Sequence, residues 1–266
     1  MHLFIHIGDH KTGTTSIQFF LKRWADELAS SGIYVPTAGT LSADLGNSGH
    51  RNLAFQLMGV KQFNQSDGGL GELLAELRNC RLSNGVISAE TFSWLVDAPE
   101  GIKRLESLLR EEGHTLSWLM FLRRVDDFSE SLYCELAGKG LRPRLGYPGM
   151  ALAFLLRGRC HFKLYDRYLL KFCDYGAFVR QWRSHSASPL HLYDYDQAVS
   201  REGLLPCFLA AIGAPTSLIE ASSSAPVLNH RRDYGNREKI TRHFRRVFRP
   251  LLMARFHRSN QRVINS

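Results

Sequence analysis

Nine residues near the start of the chain, Gly8-Asp9-His10-Lys11-Thr12-Gly13-Thr14-Thr15-Ser16, contain two glycines five apart, four hydroxyls and one lysine. An apolar run, Leu3 to Ile7, precedes them and an amphipathic run, Ser16 to Ala29, follows. A strand, a Gly-rich turn and a helix start together aim backbone N–H groups and a helix dipole at phosphate oxygens. The spacing is close to that of the triphosphate-binding loop G-x-x-x-x-G-K-[ST]. Gly8 and Gly13 fit it and Thr15 supplies the last hydroxyl, but Thr14 stands at the lysine position. The lysine comes three residues earlier, as Lys11. In a triphosphate loop the lysine reaches the outer phosphates, and the hydroxyl holds magnesium with an Asp from a neighbouring strand. Here the helix start offers amides and hydroxyls without a cation, and the cation sits inside the loop. That arrangement suits a ligand whose single reacting group lies beside the loop and whose leaving oxygen gains charge.

The other candidates stand at the ends of further apolar runs. Trp118 to Leu122 reads as a buried strand, and the next residue is Arg123 rather than an acid. That predicts a second bound anion instead of magnesium. Ser131 follows eight residues later on a predicted helix. A guanidinium grips phosphate in a bidentate way, and a helix hydroxyl adds a donor. The alternative for Arg123 is a surface pair with Asp126 or Asp127, a role that fits its neighbour Arg124. Val86-Ile87-Ser88 reads as another strand, ended by Ala89-Glu90. A carboxylate there could take a proton from an acceptor hydroxyl, or it could pair with Lys11 or cap the next turn. His10, beside Lys11, is a rival base. So is His50, in Gly49-His50-Arg51-Asn52, if its loop folds back over the site.

These motifs resemble those of the sulfotransferases that use 3′-phosphoadenosine 5′-phosphosulfate (PAPS) as donor. The family's first motif, K-[ST]-G-T-[TS] after a strand, is matched by His10-Lys11-Thr12-Gly13-Thr14-Thr15-Ser16-Ile17. Its second, a strand ending in Arg with Ser eight residues on, is matched by Arg123 and Ser131. Leu192-Tyr193-Asp194-Tyr195-Asp196 echoes a third, in which the Tyr lies near adenine. The resemblance implies a P-loop NTPase-like parallel sheet with helices on both faces, the sulfotransferase architecture. It implies that Lys11, Thr12, Gly13, Thr14, Thr15 and Ser16 bind the phosphosulfate, that Arg123 and Ser131 bind the 3′-phosphate, and that Tyr195 adjoins the base. Lys11 would polarise the bridging oxygen, and the product nucleotide would be adenosine 3′,5′-bisphosphate (PAP). No metal is expected. The chain departs from the cytosolic small-molecule branch in two places. Ser88-Ala89-Glu90 stands where that branch has Lys-Thr-His, and only Arg231 to Arg237 echoes its Gly-rich basic segment. The match is nearer the bacterial and the carbohydrate- or protein-modifying branches, and the carbohydrate and protein branches use Glu as base. The implied acceptor is a hydroxyl or amine of a glycan, lipid or other metabolite.

At 266 residues and 44% hydrophobic, the chain suits one α/β domain with insertions. We divide it into a domain over 1–230 and a basic, mainly helical extension over 231–266. The net charge of +9 resides in that extension, where residues 231–262 hold ten Arg and one Lys against Asp233 and Glu238. Residues 1–230 are balanced. Arg242, Arg245, Arg246, Arg249 and Arg255 interleave with Phe244, Phe248, Leu252 and Phe256. Such a helix could lie on an anionic membrane or meet an acidic glycan or lipid, or it could dock its apolar face and solvate its arginines. Arg231, Arg232 and Arg237 are alternative ligands for the 3′-phosphate. A kinase or NTPase would need a lysine after Gly13 and an acidic strand end. A purely anion-binding module acting through the tail would leave the loop motifs without a role. No nucleic-acid partner is expected. Five cysteines without Cys-x-x-Cys predict reduced thiols and no structural metal. No run approaches the roughly 18–20 apolar residues of a membrane span. The absence of a basic segment leading into a long apolar core predicts no secretory signal and a cytoplasmic protein, with peripheral membrane contact through the tail as an option.

The pattern predicts strands at 3–8, 33–35, 86–88, 118–122 and 189–195. It predicts helices at 15–30, 53–63, 71–80, 102–112, 126–138, 148–157, 166–184, 204–212 and 236–263, the last with Pro250 as a breaking point. Residues 37–50 and 139–150 read as loops, and 217–226 is low in complexity. Strands alternating with helices imply a parallel sheet covered on both faces. Ligands bind such sheets at the carboxyl ends of the strands. Lys11, Glu90, Arg123 and Tyr195 all fall at or just past those ends.

Overall fold

The computed structural model describes residues 1–8, 12–40, 49–138, 146–164, 167–223 and 237–264. The chain has the α/β fold expected from the sequence, and it divides into two compact units. One comprises Met1–Phe121 with Arg183–His230, and the other Leu122–Trp182 with Arg231–Ser266.

The first unit is built on a five-stranded sheet. Its strands are β1 (His2–Ile7), β2 (Ile33–Tyr34), β3 (Asn84–Ala89), β4 (Thr115–Leu122) and β7 (Leu190–Asp194), in the order β2-β3-β1-β4-β7. β1 pairs in parallel with both β3 and β4, and β2 in parallel with β3. Successive strand side chains point to opposite faces, so the central strands supply two cores. On one face Val86, Leu119 and Phe121 pack with Ile17, Phe20 and Leu21 of α1 (Thr14–Arg23), Leu28 of α2 (Ala25–Ser30), and Phe208 and Leu209 of α10 (Leu204–Ala211). Fully burying each such side chain contributes about 1.5–3 kcal/mol. On the other face Trp118 meets Phe92 edge-on at 6.5 Å and donates its indole N–H to Glu106 of α5 (Pro99–Glu111) at 3.0 Å. Glu106 also accepts from Ser186 Oγ (2.5 Å) and the Ala187 amide (2.9 Å). Burial pushes this carboxyl up, but the hydrogen bonds together outweigh it and hold it below the usual range. The return segment leading into β7 is thereby tied beneath β4.

The predicted helix 15–30 is two helices, α1 and α2, because Trp24 leaves the helical region between them. β2 is followed by a segment held by Glu76 of α4 (Leu70–Asn79), whose carboxylate accepts from Tyr34 Oη, the Thr37 amide and hydroxyl, and the Ala38 amide. α3 (Arg51–Met58) then ends at Gly59, in the left-handed conformation. Past β7, Asp194 accepts a hydrogen bond from the Gln197 amide and caps α9 (Tyr195–Ser200). Tyr195 therefore begins a helix rather than ending the strand. α11 (Thr216–Ser222) occupies part of the segment read as low in complexity.

The second unit contains α6 (Val125–Gly138), α7 (Gly146–Arg157), β5 (Arg159–Leu164), β6 (Arg167–Phe172), α8 (Tyr175–Arg183) and α12 (Arg237–Ile264). The single helix predicted over 166–184 is incorrect. β5 and β6 pair antiparallel, Arg159 opposite Phe172, and helix begins only at Tyr175. The alternating, aromatic-rich run from Cys160 to Phe172 favours a pleated ladder. α12 runs through Pro250 without interruption. Leu252, Phe256 and Asn260, four residues apart on one helical face, are buried. Asn260 binds the backbone at both ends of the turn after β6, donating to the Cys173 carbonyl (2.8 Å) and accepting from the Tyr175 amide (3.0 Å).

Candidate functional site

The loop after β1 is shaped by its two glycines, for different reasons. A Cβ on Gly8 would collide with the Thr14 hydroxyl, so only a bare backbone lets Thr14 close over it. Gly13 has φ +72°, left-handed backbone that disfavours a side chain, and a Cβ there would strike Leu204. Gly13 is the N-cap of α1, and its carbonyl accepts from both the Ser16 (2.9 Å) and Ile17 (3.2 Å) amides. Earlier amides of a first turn have no partner within their own helix, and the first turn of α1 carries no acidic residue. Thr12, Thr14 and Ser16 are buried, whereas Thr15 is partly exposed. Of the four hydroxyl residues of the loop, Thr15 is therefore the most exposed. Lys11 and His10, the expected catalytic cation and a rival base, lie outside the described residues.

Two further sequence candidates join this loop. Ile7 pairs with Ala89, so Gly8 and Glu90 leave adjacent strands side by side. Glu90 opens a 3-10 helix, Glu90–Asp97, and its Oε1 lies 3.4 Å from Nη2 of Arg51 at the start of α3. Both side chains retain partial exposure, 26% and 20%. On the other side of the loop, the Tyr195 ring stands 3.4 Å from the position a Cβ would take on Gly13.

His50 does fold back to the strand ends, and there it braces the backbone. β2 ends at Tyr34, opposite Gly85, so the β3 edge beyond that point needs other partners. His50 supplies them. Its amide donates to the Ser88 carbonyl (2.8 Å), its Nδ1 accepts from the Ser88 amide (3.1 Å), and its Nε2–H donates to the Pro36 carbonyl (2.9 Å). Both ring nitrogens are engaged, and burial lowers its pKa, against the raising effect of the backbone bonds. Gly49, just before it, packs against the Gln18 amide of α1, 2.5 Å from where a Cβ would stand. His6 is buried beneath the same strand ends, its Nδ1 2.8 Å from Ser88 Oγ, and burial pushes its pKa down to about 3.

In the second unit, Arg123 directly follows β4 and Ser131 lies one turn and a half into α6. Arg124 pairs with Asp126 at 2.9 Å, the role expected of it. Arg249 of α12 adds a second guanidinium to that fully buried carboxylate at 2.7 Å. The Arg123 carbonyl accepts the Tyr175 hydroxyl at 2.5 Å. Sequence reasoning passed over Arg51, Leu204, Tyr175 and Arg249 in these roles. Only Arg51 carried a local signal, its place in the Gly49–Asn52 run. Arg231 and Arg232 lie outside the described residues. Among the described residues no group of three or more His, Cys, Asp or Glu could hold a metal ion, and no helix is long and apolar enough to cross a membrane.

No protein-family model matches the chain, and no curated protein matches it. Among solved structures it is similar to the crystal structure of a sulfotransferase from Alicyclobacillus acidocaldarius. The identity is 16% and the TM-score 0.49, over 96% of this chain and 95% of that one.

Proposed function

We propose that the protein is a sulfotransferase that moves a sulfuryl group from PAPS to a hydroxyl or amine and releases PAP. The observation that carries this reading is the loop itself. It combines a left-handed Gly13 at a helix start free of acidic residues with a lysine two positions ahead of Gly13 in the sequence, and Tyr195 packs beside Gly13. Amides at the start of α1, with Thr15, hold the phosphosulfate. Lys11 neutralises the charge that grows on the bridging oxygen as the S–O bond breaks. Glu90 takes the proton of the acceptor, and Arg51 holds that carboxylate in place. His50, with both nitrogens on the backbone, braces β3 instead of moving a proton. Arg123 and Ser131 take the 3′-phosphate. The chemistry is positioning and charge stabilisation, as in phosphoryl transfer.

The acceptor is a glycan, lipid or other metabolite of the cytoplasm. Leu252 and Phe256 of α12 are buried, which favours a structural role for that part of the helix over a membrane-lying one. Incubation with sulfur-labelled PAPS and fractionated glycan, lipid and small-molecule acceptors tests the reaction. Labelled product with stoichiometric PAP supports it, and no transfer to any class overturns it.

A further inference from the structure

The second unit contains a route by which the C-terminal helix acts on Arg123. Arg123 and Arg124 form the two-residue connection between β4 and α6. Two kinds of bond hold that connection from the α6 side. The Arg124 carbonyl accepts the Phe128 amide (2.9 Å), starting the helix, and the Arg124 guanidinium grips Asp126. Further restraints come from far along the chain. Tyr175, 2% exposed, donates its hydroxyl to the Arg123 carbonyl at 2.5 Å. Tyr175 is itself set by Asn260 of α12, whose Oδ1 accepts the Tyr175 amide while its Nδ2 binds the Cys173 carbonyl. Arg249, three turns earlier on the same helix, reaches Asp126. A helix in the last thirty residues thus holds the connection by two separate routes, one through Asp126 and one through Tyr175.

Resting on the reading of Arg123 as the 3′-phosphate ligand, we propose that Tyr175 and Asn260 are positioning residues for 3′-phosphate recognition. The Tyr175 hydroxyl fixes the peptide plane that follows the Arg123 Cα and so restricts where the guanidinium can reach. Without it, Arg123 keeps its charge but loses its preset direction, and part of the binding energy goes into ordering it. The tail then acts on the 3′-phosphate site through a few specific bonds, not through its net charge.

The test compares PAP with adenosine 5′-monophosphate (AMP), which lacks only the 3′-phosphate, by calorimetry on the full chain. Wild type is expected to bind PAP more tightly than AMP. Tyr175→Phe removes the hydroxyl alone, and it is expected to lower the PAP-to-AMP affinity ratio about tenfold, the scale of one hydrogen bond to a well-held group, with AMP affinity unchanged. Because both ligands are read on the same folded population, a general loss of stability does not move the ratio. Asn260→Ser is expected to shift the ratio in the same direction by less, and it serves if Tyr175→Phe fails to fold. A variant ratio equal to wild type overturns the positioning role and leaves Arg123 in place. A wild-type protein that does not distinguish PAP from AMP overturns the 3′-phosphate reading, and the positioning role falls with it.

Discussion

Tyr195 and Gly13 are 182 residues apart in sequence, yet the tyrosine ring lies 3.4 Å from where a Cβ on Gly13 would be, beside a Leu204 side chain that fills the same space. The left-handed turn at the start of α1 is therefore closed from outside by the segment that follows β7. Any side chain at position 13 meets both the backbone restriction and this wall.

Gly13→Ala is expected to destabilise the protein by about 1–2 kcal/mol from the left-handed backbone alone, plus the cost of moving Leu204. Adding Leu204→Ala should relieve the steric part in the double variant, although that change sacrifices packing of its own. Denaturant unfolding of the two single variants and the double one measures the coupling. Simple additivity would mean that Leu204 does not press on position 13.

Glu90→Gln is expected to reduce kcat by roughly 10²–10⁴-fold, the range for loss of a general base, with PAP affinity unchanged. Arg51→Ala should give a smaller loss of kcat, since the carboxylate remains but is no longer held. Steady-state kinetics on both variants, with PAP affinity measured separately, checks this. Normal turnover by Glu90→Gln would remove Glu90 from the reaction.

The strand ends were legible because apolar runs end next to Gly8, Glu90 and Arg123, whereas the order of the strands in the sheet was not. Gly8 and Glu90 were both marked in this way, and the pairing of Ile7 with Ala89 puts them side by side. The backbone bonds of His50 were not legible, because they depend on where β2 ends, and Tyr34 gives no sign of that. The hairpin at 159–172 was missed although its aromatic content favours strand, because a period-2 signal in so short a run does not by itself outweigh a helical one. Bonds such as Tyr175 to Arg123 join distant segments and leave no periodic trace.

Asp126→Ala should cost about 2 kcal/mol, the scale of hydrogen bonds to a charged group. It should fall short of the 3–5 kcal/mol for breaking a fully buried pair, because Arg124 and Arg249 are 39% and 36% exposed and can rehydrate. Arg249→Ala should cost less still, since Arg124 continues to hold Asp126. Thermal unfolding of both variants tests the order. A larger loss from Arg249→Ala would contradict it.

Stability should fall with acid. His6 and His50 are held neutral when folded, by burial that depresses both pKa values, to about 3 for His6. The unfolded chain protonates each near 6.5. Their contribution is therefore complete above about pH 6.5 and is lost as pH falls toward the folded values, at up to about 1.4 kcal/mol per pH unit for each histidine. Denaturant unfolding from pH 7 to pH 4 should show this slope. His6→Leu should make it shallower even though the variant is less stable at pH 7. An unchanged slope would remove His6 from the titration.

Lys11→Ala is expected to abolish sulfuryl transfer, because nothing else in the loop carries positive charge. PAP should still bind through the α1 amides and Arg123, more weakly. Product formation by this variant at the wild-type rate would end the assignment of Lys11.

The most direct test of the account is calorimetric binding of PAP and of ATP, each with and without magnesium. The loop with its displaced lysine predicts that PAP binds without metal and that ATP binds much more weakly under either condition. Preferential binding of magnesium-ATP would contradict the account and return the chain to the phosphotransferases.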